Sequence, residues 1–167
     1  MRPKLVSEIA IAILLVIVGQ VKAEDDQLVL TVSDIALAFG MNWWVVRFPA
    51  DMEEHDTVGL AYKHPDGSIE RGNGFSGLRL AGTTAKVIVW ESEDGEQLRY
   101  ALIGDAIRAK ASLPSKAEMK EGSRLVLSQG MTVDAGTVLM KIGRSTIGFH
   151  DVQPGEIGLI LHVTKGD

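Results

Sequence analysis

Residues 86–103 read KVIVWESEDGEQLRYALI. Two apolar runs, Lys86–Glu91 and Gln97–Ile103, flank the turn Glu93-Asp94-Gly95-Glu96. An Asp-Gly pair between two such runs is a strong short-range signal for a β-hairpin, because both residues tolerate the positive φ of a tight turn.

The same pattern continues in both directions. Strands are predicted over Leu28–Val32, Trp43–Phe48, Thr57–Lys63, Ser68–Arg71, Arg124–Ser128, Thr137–Ile142 and Glu156–Val163. In His64-Pro65-Asp66-Gly67, Pro presets φ and Gly takes φ > 0, which closes a second hairpin. Val133-Asp134-Ala135-Gly136 and Gln153-Pro154-Gly155-Glu156 mark two more reversals. Residues 34–40 (DIALAFG) fit one helical turn capped by Asp34, or an alternating strand through Ile35, Leu37 and Phe39; the strand is preferred.

One short helix is expected. Ser115-Lys116-Ala117-Glu118 forms a capping box after Pro114, and Gly122 can end it. It is a connector in the stretch 111–122, the expected crossing between sheets. No long amphipathic helix is present. Short strands with frequent turns predict an all-β protein, an antiparallel β-sandwich of jelly-roll or Ig-like type, with a barrel as the alternative.

The chain has 167 residues and no cysteine. Disulfide scaffolds, thiol nucleophiles and cysteine-ligated zinc are excluded. The first 23 residues read as a secretory signal: Arg2 and Lys4, then an apolar run from Ile9 to Val18, then Val21-Lys22-Ala23 before Glu24-Asp25-Asp26. Glu8 and Gln20 bracket a stretch about half the length a membrane span requires. The reading is therefore residues 1–23 as signal and 24–167 as a single β-sandwich domain, exported to the periplasm or the medium. Loss of Arg2, Lys4 and Lys22 against Glu8 alone leaves 14 basic and 21 acidic residues, a formal charge of −7. Nucleic acid and anionic membrane surfaces would repel such a chain.

Several motifs lack the context their chemistry needs. Gly72-Asn73-Gly74-Phe75-Ser76-Gly77 spells G-x-G-x-x-G, with Glu91 nineteen residues after Gly72. A dinucleotide site needs an apolar strand before the glycines and a helix after them. Here Ser68-Ile69-Glu70-Arg71 is polar and Leu78–Thr84 is short and broken by Gly82, so a flexible inter-strand loop is expected. Ser76 lies in Gly-Phe-Ser-Gly, but Leu78 occupies the last glycine position of a nucleophile elbow. Met140-Lys141 faintly resembles a biotin-accepting hairpin, yet alternation makes Lys141 an outward strand residue rather than a turn residue.

Glu53-Glu54-His55-Asp56, followed by His64 and Asp66, has zinc- and calcium-type donors. If Thr57–Lys63 is a strand, His55 and His64 lie at its opposite ends, some 25–30 Å apart at about 3.3 Å per residue. A solvated acidic turn is expected instead. Neither a metal nor a cofactor is expected.

Trp43-Trp44-Val45-Val46-Arg47-Phe48 is the most informative local feature. In a strand, Trp44, Val46 and Phe48 share one face, and Trp43, Val45 and Arg47 the other. The first set is the more apolar and is expected in the core. Trp43 and Arg47 then form a candidate ligand platform, since Trp and Arg recur at contact hot spots. A loop laid over Trp43 would instead make a second small cluster.

The function expected is a non-enzymatic extracytoplasmic binding module for a protein or carbohydrate partner, with no nucleic acid and no membrane span after signal cleavage. Two alternatives belong to other classes. One is a hydrolase or lyase assembled from distant acidic residues with His150 or His162. The other is a structural subunit of an envelope assembly that pairs through its edge strands.

Overall fold

The computed structural model describes residues 38–105, 107–117, 122–143, 148 and 151–166. The signal segment, the strand expected over Leu28–Val32, His150 and the end of the expected connecting helix lie outside the described residues. Ser115 and Lys116, which would open that helix, belong to no regular element.

Among the described residues, ten strands form two five-stranded sheets. They are β1 (Asn42–Arg47), β2 (Thr57–Lys63), β3 (Ile69–Phe75), β4 (Thr84–Glu91), β5 (Gln97–Gly104), β6 (Ile107–Pro114), β7 (Ser123–Val126), β8 (Thr132–Asp134), β9 (Val138–Gly143) and β10 (Glu156–Thr164). The first sheet has the order β6-β5-β4-β1-β8 and the second β3-β2-β10-β9-β7. The protein is all-β, its sheets are not closed into a barrel, and the arrangement is that of a β-sandwich. All pairings are antiparallel except β1 with β8, which run parallel.

The turns follow their residue chemistry. Gly67 and Gly95 take φ of 83° and 67° at the β2–β3 and β4–β5 hairpins, a region closed to most side chains. The core is the inner set of each strand. Trp44 and Val46 of β1, with Phe48 just beyond it, are at most 2% exposed, as their alternation predicts. Val87 and Val89 of β4, Leu98 and Leu102 of β5, and Leu60 of β2 join them in one cluster.

Three buried aromatic side chains tie the sheets together through their polar tips. Tyr62 of β2 donates its hydroxyl to the Pro114 carbonyl of β6 at 2.9 Å, and Tyr100 of β5 donates to the Asn73 carbonyl of β3 at 2.5 Å. Trp44 Nε1 donates to the Leu127 carbonyl at 3.1 Å. Each ring fills the core while its donor is satisfied by the opposite sheet or, for Trp44, by the residue just beyond β7.

Three expectations are corrected. The glycine-rich stretch is not a loop: β3 runs through Gly72, Asn73 and Gly74. A Cβ on Gly72 would lie 2.5 Å from Leu113 Cδ1, and one on Gly74 2.6 Å from Thr57 Cγ2, so the glycines permit close approach. The expected crossing is present: the chain leaves β6, an edge strand of the first sheet, at Pro114 and enters β7 of the second sheet at Ser123. Lys141 does not point to solvent: Gly148, Asp151 and Val152 lie over the outer side of β9 and β10, and Lys141 is 0% exposed. There its ammonium meets Glu156 at 2.6 Å, and a Cβ on Gly158 beside it would lie 2.7 Å from Val152 Cγ2. Finally, Asp56 of the acidic turn is buried. It accepts hydrogen bonds from the backbone N–H of Glu53 (2.9 Å) and Gly166 (3.0 Å), and Lys165 lies 3.2 Å away.

Candidate functional site

Directly opposed residues on neighbouring strands project to the same side of a sheet. The outer face of the first sheet therefore follows from the register. One row runs Arg108, Ile103, Lys86, Val45, Thr132 across all five strands. The next runs Lys110, Ala101, Ile88, Trp43, and a third Ser112, Arg99, Trp90. Arg47 sits beyond Val45 on β1, opposite Asp134 of β8. Arg99, Arg108 and Lys110 are exposed, as is Ile103 at 39%. Trp43, Ile88 and Trp90 are half-buried.

Trp43 and Arg47 share this face, four residues and about 13 Å apart along the strand. Arg47 turns away, to Asp134 at 3.3 Å, with both side chains exposed. The cation at Trp43 is Lys86, whose Nζ lies 4.8 Å from the ring centroid. A loop also reaches the ring. Gly130, at φ 78°, donates its N–H to the Trp43 carbonyl at 3.0 Å, and a Cβ there would lie 3.0 Å from Trp43 Cη2. Trp43 Nε1 is buried without a hydrogen-bond partner among the described residues. Trp43 is thus half-covered, with a cation on its ring and a loop at its edge.

No protein-family model, curated protein or solved structure matches the chain.

Lys86, Ile88 and Trp90 were visible in the sequence as alternate residues of one strand. Their grouping with Arg99, Arg108 and Lys110 was not, because it depends on β6 and on the pairing register. Other polar groupings are weaker. A hollow of about 160 Å³ is lined by Met52, Leu78, Glu53, Glu54 and Arg79. Its carboxylates are exposed and already engaged, Glu54 by Arg79 and Glu53 by His55 at 3.3 Å. On the second sheet a notch of about 30 Å³ lies over Gly59 and Gly74, beside Arg71 and His162. Burial, and then the Arg71 charge, hold His162 below its ordinary pKa. Among the described residues, no three His, Asp or Glu gather as metal ligands, and no helix is long and apolar enough to cross a membrane.

Proposed function

We propose that this chain is an exported, non-enzymatic β-sandwich that binds a protein or glycan partner through the outer face of its first sheet. Trp43 and Arg47 are among the proposed contacts, joined by Lys86, Trp90 and Ile103. The observation carrying this reading is the composition of that face. It combines indole rings, aliphatic side chains and long cations on one open sheet surface, the residue types enriched where binding energy concentrates. The matching face of the second sheet is partly occupied by the chain's own Gly148, Asp151 and Val152. The long edge strand β6 carries Arg108 and Lys110, charges that discourage edge-to-edge pairing.

The test is binding of the full chain to immobilised glycans and extracytoplasmic proteins, repeated with Trp90→Ala and Arg47→Ala. A true ligand should lose about tenfold affinity with either variant, the effect of removing one contact worth roughly 1.4 kcal/mol. Arg79→Ala, at the unrelated hollow, should change nothing. Ligands that bind all three variants as the parent does would remove the face from consideration.

A further inference from the structure

We infer that the partner of this face is an acidic protein segment, bound in extended form over the outer surface of β4, β5 and β6. The inference rests on the reading of the face as a partner-binding surface and narrows it to the partner's chemistry. Its basis is where the cations without a carboxylate at ion-pair distance lie. Most described lysines and arginines have a carboxylate within ion-pair distance, among them Arg47 (Asp134), Lys63 (Asp151), Arg124 (Glu91) and Lys141 (Glu156). Arg79, Lys116 and Lys165 do as well. Among the described residues, only Arg71, Lys86, Arg99, Arg108 and Lys110 do not. Four of these five stand on the outer face of the first sheet.

The sequence makes this arrangement unexpected. Acidic residues exceed basic ones, 22 against 17, so available carboxylates are plentiful. They are nevertheless placed at the margins of this face: Glu93, Asp94 and Glu96 in the β4–β5 turn, Asp105 in the β5–β6 turn, and Asp134 on the edge strand β8. The centre is left positive around the exposed Ile103 and the small Ala101. Such a surface is complementary to carboxylates alternating with apolar side chains.

Geometry favours a peptide over the other anions. Outward residues along a strand repeat at about 6.7 Å, and so do alternate side chains of an extended peptide. Arg108 and Lys110 have that spacing, and Lys86 stands across two strands from Arg108, about 10 Å away. A sugar ring would need a free aromatic face, whereas Trp43 already carries Lys86 on its ring and Gly130 at its edge. A long polyanion would overrun the acidic margins. A short segment confined to the centre is shielded from them, because screening at physiological salt acts over about 8 Å.

The experiment titrates the full chain, as secreted, with four probes: an eight-residue alternating Asp-Val peptide, its Asn-Val analogue, an oligogalacturonate and a short DNA duplex. Affinity is read by calorimetry and location by amide chemical shifts. The Asp-Val peptide should shift residues of β4, β5 and β6. It should bind about tenfold more tightly than the Asn-Val analogue and weaken about tenfold on raising salt from about 0.05 to 0.5 M, since each contact is an exposed charge pair. Lys86→Glu with Arg108→Glu should weaken it by at least about tenfold, and Arg71→Glu by less than about twofold. If the double reversal fails to fold, Arg108→Gln with Lys110→Gln serves in its place, with a smaller loss of the same sign. Absence of Asp-Val binding at millimolar peptide overturns the inference. Tighter binding of oligogalacturonate or duplex at the same residues also overturns it, but leaves the binding face standing. Peptide binding that maps elsewhere and ignores the charge reversals overturns both.

Discussion

Lys141 Nζ and Glu156 Oε2 lie 2.6 Å apart across β9 and β10, with side chains 1% and 5% exposed. Gln153 donates its backbone N–H to the same carboxylate oxygen at 2.9 Å, and the carbonyls of Gly148 and Asp151 lie 3.4 Å from the ammonium. Burial pushes the Glu156 carboxyl up; the Lys141 ammonium and the Gln153 N–H outweigh that and hold it below its ordinary value. The pair fastens the backbone at Gly148, Asp151 and Gln153 over the second sheet. Removing one partner strands the other charge away from water. Lys141→Met should therefore cost about 3–5 kcal/mol in denaturant unfolding, and adding Glu156→Leu should restore most of it. Equal stability of parent and single variant would show that the pair is solvated.

Asp56 gives the molecule an acid-sensitive clamp at its C-terminal end. The Glu53 and Gly166 N–H groups, joined by Lys165 against the opposing effect of burial, hold its pKa at about 2 rather than 3.8. A carboxyl depressed in the folded state stabilises fully above its unfolded pKa, and that contribution is lost as pH falls through the folded value. The stability difference between the parent and Asp56→Asn should thus be constant near neutrality and shrink between about pH 4 and pH 2. Thermal melts of both proteins across this range check it; a difference that stays flat to pH 2 would refute the clamp.

The two adjacent tryptophans should differ sharply. Trp44 is 0% exposed and its indole N–H is bonded, so Trp44→Ala should cost about 3–5 kcal/mol. Trp43 is half-buried with an unpaired indole N–H, and Trp43→Ala should cost clearly less. Equal losses in denaturant melts would mean that both rings are core.

Gly130→Ala tests the loop on Trp43. An L-residue at φ 78° costs about 1–2 kcal/mol, and the new methyl would press on the Trp43 ring. The variant should be destabilised by at least that amount, with a change in tryptophan fluorescence. A neutral outcome would mean that the loop does not rest on the ring.

Export is tested chemically. Mass spectrometry of protein recovered outside the cytoplasm should show a chain beginning at Glu24, after Ala23. Recovery with Met1 intact would contradict the signal reading.

Sequence alone determined the strands and hairpins whose information is local. In β1 and β4, alternation separates a buried face from an outer one, and burial is the force that fixes that choice. In the β2–β3 and β4–β5 turns, Gly67 and Gly95 supply backbone conformations that other residues resist. What stayed hidden depends on partners distant in the chain. Gly72–Gly74 has no apolar alternation; it is a strand because β2 offers it hydrogen bonds and Leu113 leaves no room for a side chain. Residues 107–110 carry no strand signal of their own because their outer positions are charged, and pairing with β5 makes 107–114 an edge strand. Lys141 has the pattern of an outward residue until Gly148 and Asp151 cover it and Glu156 neutralises it. Lys86, Arg99, Arg108 and Lys110 lie on three separate strands, and only the register between those strands places them on one face. Periodicity shows which side of its own strand a residue occupies; long-range pairing decides what stands beside it.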